Sequence, residues 1–145
     1  MKRRSDMGRA MAPMTIGKLA QVAGVAVHTV RFYERCGLLR EPERTSSGYR
    51  RYREEDVRRL HFIRRAKVMG FALDEIAELL RLSEGGGSRA EVRLLTSRRV
   101  QDIDRRISEL TTTRDLLNAY AERCIGEGPA NACPILQSLQ TKDGD

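Results

Sequence analysis

The chain has 145 residues, with 27 Lys and Arg against 20 Asp and Glu and a formal net charge of +7. Residues 1–81 hold 18 basic and 10 acidic side chains, whereas residues 82–145 hold 9 and 10. The odd number of cysteines, three, and an N-terminus without a signal-like apolar core exclude a disulfide-framed secreted domain. The lack of a long apolar run excludes a membrane-spanning protein. We therefore expect a cytoplasmic protein whose basic half binds a polyanion, although an Arg-rich composition bias gives the same surplus.

The first predicted elements are two short helices separated by a tight turn, after a basic lead-in (residues 1–13) that is predicted to be disordered. Thr15 is suited to be the N-cap of the first helix, whose apolar residues recur at helical spacing until Gly24. The second helix is predicted over Val27–Arg35 and ends before Gly37. Helix, Gly-containing turn and helix is the outline of a helix-turn-helix motif, although many small helical hairpins share it.

A β-hairpin, or wing, is predicted to follow the second helix. Pro42 prevents that helix from continuing, and residues 45–48 have the composition of a turn. The next stretch alternates aromatic and basic side chains, as expected of a short strand or loop lying on a phosphate backbone: Tyr49, Arg50, Arg51 and Tyr52. Packing of the tyrosines beneath the wing is the alternative, and for Tyr52 the two interpretations are equally good.

Two further helices are predicted over residues 54–69 and 73–82, each with acidic residues at its start, where the helix dipole favours them. The Gly-rich residues 83–88 are predicted to be a flexible break. Residues 89–124 contain no Gly or Pro, and they predict one helix of roughly 50 Å at ~1.5 Å per residue.

The long helix carries a series of positions spaced by alternating steps of three and four residues, all apolar or thiol except one arginine. The series is Val100, Ile103, Ile107, Leu110, Arg114, Leu117, Ala121 and Cys124. This spacing is typical of the seam of a two-stranded coiled coil. A helix of this length cannot bury its seam inside so small a protein, so we expect it to pair with a second copy, parallel or antiparallel. Folding of the helix back onto the N-terminal half is the alternative.

Cys124 and Cys133 flank a loop of eight residues with two glycines and one proline, and a short helix is predicted from Pro134 onward. Such a loop can fold back and bring two thiolates onto one soft ion. On spacing alone, a redox disulfide or two inert thiols are equally compatible. Cys36 is predicted to be a small packing residue, and residues 140–145 are predicted to be a disordered tail.

Several runs of residues together resemble the MerR family of transcription regulators. They are Thr15-Ile16-Gly17 with Leu19-Ala20, Val30 to Arg35 with Gly37-Leu38-Leu39, Gly48 to Tyr52, Gly70 to Ile76, and Cys124 and Cys133 followed by Pro134. The resemblance is greatest to mercury-responsive and monovalent-copper-type sensors. It implies a mainly α fold with a winged helix-turn-helix DNA-binding head (residues 14–83) and a long antiparallel coiled-coil dimerisation helix (residues 88–124). A metal-binding loop and short helix (residues 124–139) follow.

The resemblance also implies partners and a mechanism. A homodimer binds double-stranded promoter DNA in which the two promoter elements are too far apart for RNA polymerase to engage both. When the inducer binds, the dimer bends and untwists that DNA so that RNA polymerase engages both elements. His28 and Thr29 are implied to enter the major groove. The residues implied to contact the DNA backbone are Arg31, Tyr33, Tyr49, Arg50 and Tyr52. Arg51 joins this set on charge grounds, because phosphate contacts supply most of the affinity.

The implied inducer is a soft thiophilic ion bound by Cys124 and Cys133. Mercury and zinc sensors of the family carry a third cysteine near the start of the long helix, where this chain has Ser88 and Arg89. Two thiolates favour linear coordination, which suits Cu(I), Ag(I) and Au(I) and admits Hg(II), whereas the loop length favours mercury. The rival interpretations are a redox-sensing regulator that closes a Cys124–Cys133 disulfide and a thiol enzyme or metal carrier. Since the sequence has no CxxC motif and no nucleotide-binding loop, we expect no enzyme.

Overall fold

The computed structural model describes residues 12–141 in two compact units, one ending at Leu95 and the other beginning at Thr96. The predicted lead-in and tail lie almost entirely outside the described residues. The helices are α1 (Ile16–Ala23), α2 (Val27–Arg35), α3 (Glu54–Val68), α4 (Leu73–Ser83), α5 (Arg89–Arg123) and α6 (Pro134–Gln140). Two short strands, β1 (Glu43–Arg44) and β2 (Arg50–Arg51), pair antiparallel. No helix within residues 12–141 combines the length and the apolar composition needed to cross a membrane.

Local sequence signals set the ends of the helices in the first unit. The hydroxyl of Thr15 accepts a hydrogen bond from the backbone N–H of Lys18 at 3.2 Å, and Gly24 ends α1 with φ of 68°. The carboxylates of Asp56 and Glu75 accept hydrogen bonds from the backbone N–H groups that precede α3 and α4, at 2.7 and 2.8 Å. The predicted helices are confirmed, with small shifts at their C-terminal ends.

The hydrophobic core lies in the first unit, where α1 packs against α2 and α3, and α3 packs against α4. The side chains with less than 2% exposure are the larger members of this core: Leu19, Val30, Leu38, Tyr52, Leu60, Ile63 and Ile76. The β1–β2 hairpin (the wing, residues 43–51) is anchored to it at one end. There the backbones of Tyr52 and Met14 exchange hydrogen bonds of 2.8 and 2.9 Å, and the Tyr52 ring enters the core.

Residues 83–88, predicted to be a flexible break, form a packed turn. The N–H of Gly86 donates to the carbonyl of Arg81 at 3.1 Å, and a Cβ at Gly86 would lie 2.8 Å from that same oxygen. The backbone N–H of Ser88 donates to the Glu91 carboxylate at 2.6 Å, which closes the N-terminus of α5. Gly86 therefore lies where a side chain would approach the Arg81 carbonyl too closely. The predicted break between α4 and α5 is confirmed as a turn, while its flexibility stays a prediction.

The second unit contains the remainder of α5, a loop with a 3₁₀ turn at Ala130–Ala132, and α6, which begins at Pro134 as predicted. No residue of α5 is buried. The apolar residues of the predicted seam are 40–56% exposed: Val100, Ile103, Ile107, Leu110 and Leu117. The long helix is thus confirmed, while its pairing with a second copy stays a prediction.

Candidate functional site

The second helix of the helix-turn-helix motif, α2, presents a polar face to solvent. The buried residues Val30 and Tyr33 form its opposite, apolar face. His28 and Arg31 are exposed and Thr29 is partly exposed, because these positions lie off the buried stripe of the helix. The three side chains are therefore available at the solvent-facing side of α2, as their predicted role in the major groove requires.

The wing presents a second set of exposed side chains. Glu43 pairs with Arg51 and Arg44 with Arg50 in its register, and the turn is closed by the N–H of Thr45 donating to the Tyr49 carbonyl at 2.7 Å. Tyr49 is 74% exposed, and Arg50 and Arg51 are exposed as well. These three residues have the exposure and chemistry that contact with a phosphate backbone requires.

Tyr33 and Tyr52 differ from the other predicted DNA-contacting residues because both are buried, with 5% and 0% exposure. Burial raises the pKa of Tyr33. Burial, followed by the hydrogen bond to Glu34, raises the pKa of Tyr52 to about 12. Their burial argues against direct contact with DNA and favours the packing role that the sequence left open for Tyr52.

Glu34 is a residue that the sequence reasoning missed. One of its oxygens accepts a short hydrogen bond from the Tyr52 hydroxyl, and the other accepts one from Arg50 Nη1 at 3.0 Å. Its side chain is only 10% exposed. The signal that could have found it is an acidic residue inside the otherwise basic and aromatic run from Arg31 to Arg35.

The two predicted ligand thiols lie close together in the second unit. Cys124 follows the last residue of α5, Cys133 precedes α6, and their sulfurs are 3.8 Å apart. The thiol loop (residues 124–133) turns back at Gly126 and Gly128, whose φ values of 76° and 96° suit glycine. The structure thus brings together the two thiols that the sequence paired.

The N-terminus of α6 lowers the pKa of the Cys133 thiol. The backbone N–H groups of Leu136 and Ile135 lower the pKa of its thiol, with a smaller contribution from Cys124. Within residues 12–141, no group of three or more His, Cys, Asp or Glu side chains is assembled around a common centre. Cys36 is exposed on the first unit, so its predicted role as a packing residue is wrong.

Comparison with known proteins adds sequence and structural relatives to this geometry. Two family models match, described as MerR HTH family regulatory protein over residues 14–83 and MerR, DNA binding over residues 57–120. The mercuric resistance operon regulatory protein of Shigella flexneri is 40% identical over 131 residues, which are 90% of each chain.

Two solved structures of metal complexes are also similar. The transcription regulator PbrR691 of Ralstonia metallidurans CH34, in complex with lead(II), is 36% identical with a TM-score of 0.78, over 87% of this chain and 98% of that one. MerR of Bacillus megaterium MB1, in complex with mercury(II), is 35% identical with a TM-score of 0.68, over 88% and 100% of the two chains.

Proposed function

Since the chain belongs to the MerR family of helix-turn-helix regulators, we propose that Cys124 and Cys133 bind its metal inducer and that a homodimer carries the signal to promoter DNA. The protein is a metal-responsive transcription regulator that binds promoter DNA, and it is not an enzyme. Which ion it senses and which residues act are the parts proposed here. The sulfur pair at 3.8 Å is the observation that carries the proposal.

The thiol loop fits a soft ion in its spacing and in its electrostatics. A metal–sulfur distance of about 2.3 Å lets two sulfurs 3.8 Å apart reach one ion. The lowered pKa of Cys133 increases the fraction of thiolate, which is the form that binds metal. Thiolate ligands select soft ions, and we propose Hg(II) or a monovalent ion among Cu(I), Ag(I) and Au(I).

The sulfur separation also predicts how the loop responds to different ions. Linear coordination places the sulfurs about 4.6 Å apart, twice a bond of about 2.3 Å, so the loop has to open by about 0.8 Å from its present geometry. A disulfide requires about 2.05 Å, which demands a closure of about 1.8 Å. The present separation lies between these two distances and is compatible with either signal, so the titration of the reduced protein has to distinguish them.

The DNA contacts are assigned to the exposed residues of α2 and the wing. His28 and Thr29 read base edges in the major groove, and Arg31 contacts a phosphate nearby. Tyr49, Arg50 and Arg51 contact the backbone from the wing. Tyr33 and Tyr52 act from within the core, where they hold the positions of these residues.

Dimerisation is assigned to the exposed seam of α5. Cys124 occupies the last position of that seam and also begins the thiol loop, so an ion bound there acts directly on the end of the pairing helix. We expect an antiparallel coil, and we expect the loaded dimer to distort the promoter so that RNA polymerase engages both of its elements.

The test of this function is a titration of the reduced protein with Hg(II), Cu(I) and Ag(I), combined with a promoter-reporter assay in cells. Wild type is expected to take up one ion per thiol pair and to induce the reporter. Cys124→Ser and Cys133→Ser should each abolish uptake and induction while DNA binding survives, because the thiols lie outside the DNA-binding unit.

Cys36→Ser is the matched control, since it removes an exposed thiol from the first unit. It should behave as wild type in every assay. A redox sensor is the second candidate, favoured by the proximity of the same two sulfurs. It predicts induction by oxidant and no stoichiometric uptake of metal by the reduced protein, and that result would replace the metal site with a disulfide switch.

A further inference from the structure

We propose that Glu34 is a positioning residue for DNA binding, which holds Arg50 of the wing in the orientation that contacts a phosphate. The proposal rests on the proposed contact between Arg50 and DNA. It assigns a role to an acidic residue on a surface proposed to bind DNA, where charge alone predicts that a carboxylate weakens binding.

The geometry around Glu34 links the recognition helix to the wing. Glu34 belongs to α2, and Arg50 belongs to β2, sixteen residues further along the chain. The bond of 3.0 Å from Arg50 Nη1 to Glu34 Oε2 is a charge-assisted hydrogen bond between these two elements. The second oxygen of Glu34 is fixed by the Tyr52 hydroxyl, which projects from the end of the wing that enters the core. The carboxylate is therefore held from both sides.

The surroundings of this pair are basic and open to solvent. Glu34 lines a cleft of about 390 Å³ together with Ile16, Arg31, Arg35 and Arg50. The Arg50 side chain is 40% exposed, whereas the Glu34 side chain is 10% exposed. An arginine carries five N–H donors in a rigid plane, and fixing one of them with a carboxylate sets the direction of the others. The exposed part of Arg50 is thus oriented at the mouth of a cleft with two further arginines.

A purely structural role is the alternative: Glu34 then serves only to accept the hydrogen bond of the buried Tyr52 hydroxyl. The two roles differ in what a DNA-binding assay shows. A structural acceptor affects the amount of folded protein, whereas a positioning residue affects the strength of one phosphate contact and its dependence on salt.

The experiment measures binding of the full-length protein to a fluorescein-labelled random-sequence duplex by anisotropy over a series of salt concentrations. The variants are Glu34→Ala, Arg50→Ala, the double variant and Glu34→Gln, with Glu41→Ala as the charge-matched control at an exposed acidic position of the same unit. Circular dichroism confirms the folded fraction of each.

Arg50→Ala should weaken binding about eightfold at 0.1 M salt, because one phosphate contact contributes a salt slope of about −0.9 relative to 1 M, and it should reduce the magnitude of the slope by about one. Glu34→Ala should also weaken binding, but by less, because the charge of Arg50 remains while its orientation is lost. The double variant should bind no more weakly than Arg50→Ala alone. Glu34→Gln should recover part of the loss, since its amide oxygen still accepts a hydrogen bond, and Glu41→Ala should bind as wild type or more tightly.

Each contrary outcome identifies which proposal fails. If Arg50→Ala binds as wild type, the contact between Arg50 and DNA is wrong. If Arg50→Ala weakens binding while Glu34→Ala does not, or if the two losses add in the double variant, the positioning role is wrong. If Glu34→Ala does not fold, the comparison is made in a Tyr52→Phe background, where no buried hydroxyl needs the carboxylate; equal binding by Tyr52→Phe and its Glu34→Ala derivative then overturns the proposal.

Discussion

The unit that ends at Leu95 and the unit that begins at Thr96 are stabilised in different ways. Every buried side chain among the described residues lies between Met14 and Leu82, in the first unit. In the second unit the apolar residues of α5 remain about half exposed, and the long helix has no buried residue at all. Burial of apolar surface is the dominant favourable term in folding. The first unit therefore carries its own core, whereas the described part of the second has none, as expected if α5 pairs with a second copy.

The same contrast appears in how each unit changes the pKa of a side chain. In the first unit, burial raises the pKa of Tyr52 and keeps the hydroxyl neutral inside the core. In the second unit, backbone N–H groups of α6 lower the pKa of Cys133 and favour its charged form. The pKa of Tyr52 thus reflects burial, whereas that of Cys133 reflects hydrogen bonds at the start of α6. A thiolate is the form that binds metal, as the proposed site requires.

The largest effect is expected from charge in the seam of α5. Leu117 lies in the seam and Leu116 beside it, yet their exposures are 53% and 52%. If α5 pairs with a second copy, Leu117→Glu loses at least about 4 kcal/mol per dimer from two buried sites, or roughly a thousandfold in dimer affinity. Analytical ultracentrifugation of both variants tests this: Leu116→Glu should remain dimeric. If the two variants have the same oligomeric state, Leu117 is not part of a dimer seam, and the proposed difference between the units is wrong.

A smaller effect is expected at the packed turn that precedes α5. A Cβ at Gly86 would lie 2.8 Å from the carbonyl oxygen of Arg81, whereas one at Gly17 would find only Thr15 Oγ1, at 4.0 Å. Gly86→Ala should therefore cost about 1–3 kcal/mol of unfolding free energy. Gly17→Ala, inside α1, should instead stabilise by roughly 0.5–1 kcal/mol. Urea unfolding measures both, and a neutral Gly86→Ala would show that the turn yields to a side chain, as expected of the predicted flexible break.

The smallest effect is a loss of stability at alkaline pH that depends on Tyr52. Its pKa is about 12 in the folded chain and ~10 in an unfolded one. Because the folded pKa is the higher, this contribution is fully present below pH ~10 and is lost as pH rises from ~10 to ~12. Tyr52→Phe should lower stability at neutral pH by about 1 kcal/mol and should show a shallower decline through that window, measured by urea unfolding. Tyr49→Phe, at a ring that is 74% exposed, should follow the wild-type profile.

The sequence by itself determined the elements and most of the candidate site. Thr15 and Gly24 mark the ends of α1 because capping is a local interaction, and the unbroken run from residue 89 specified α5 because helix formation depends on neighbouring residues. The pairing of Cys124 with Cys133 was also predictable, since a short loop with two glycines limits how far its ends can separate.

The tertiary structure alone decided which of the aromatic and charged residues are buried and which are exposed. Tyr49 and Tyr52 belong to one alternating run, yet one is 74% exposed and the other fully buried, because the wing is anchored on Met14. The bond between Glu34 and Arg50 joins residues of two different elements, and the close packing at Gly86 depends on how the chain folds back on Arg81. Local pattern sets which elements form, but burial and contact between elements depend on distances in space that the order of residues does not contain.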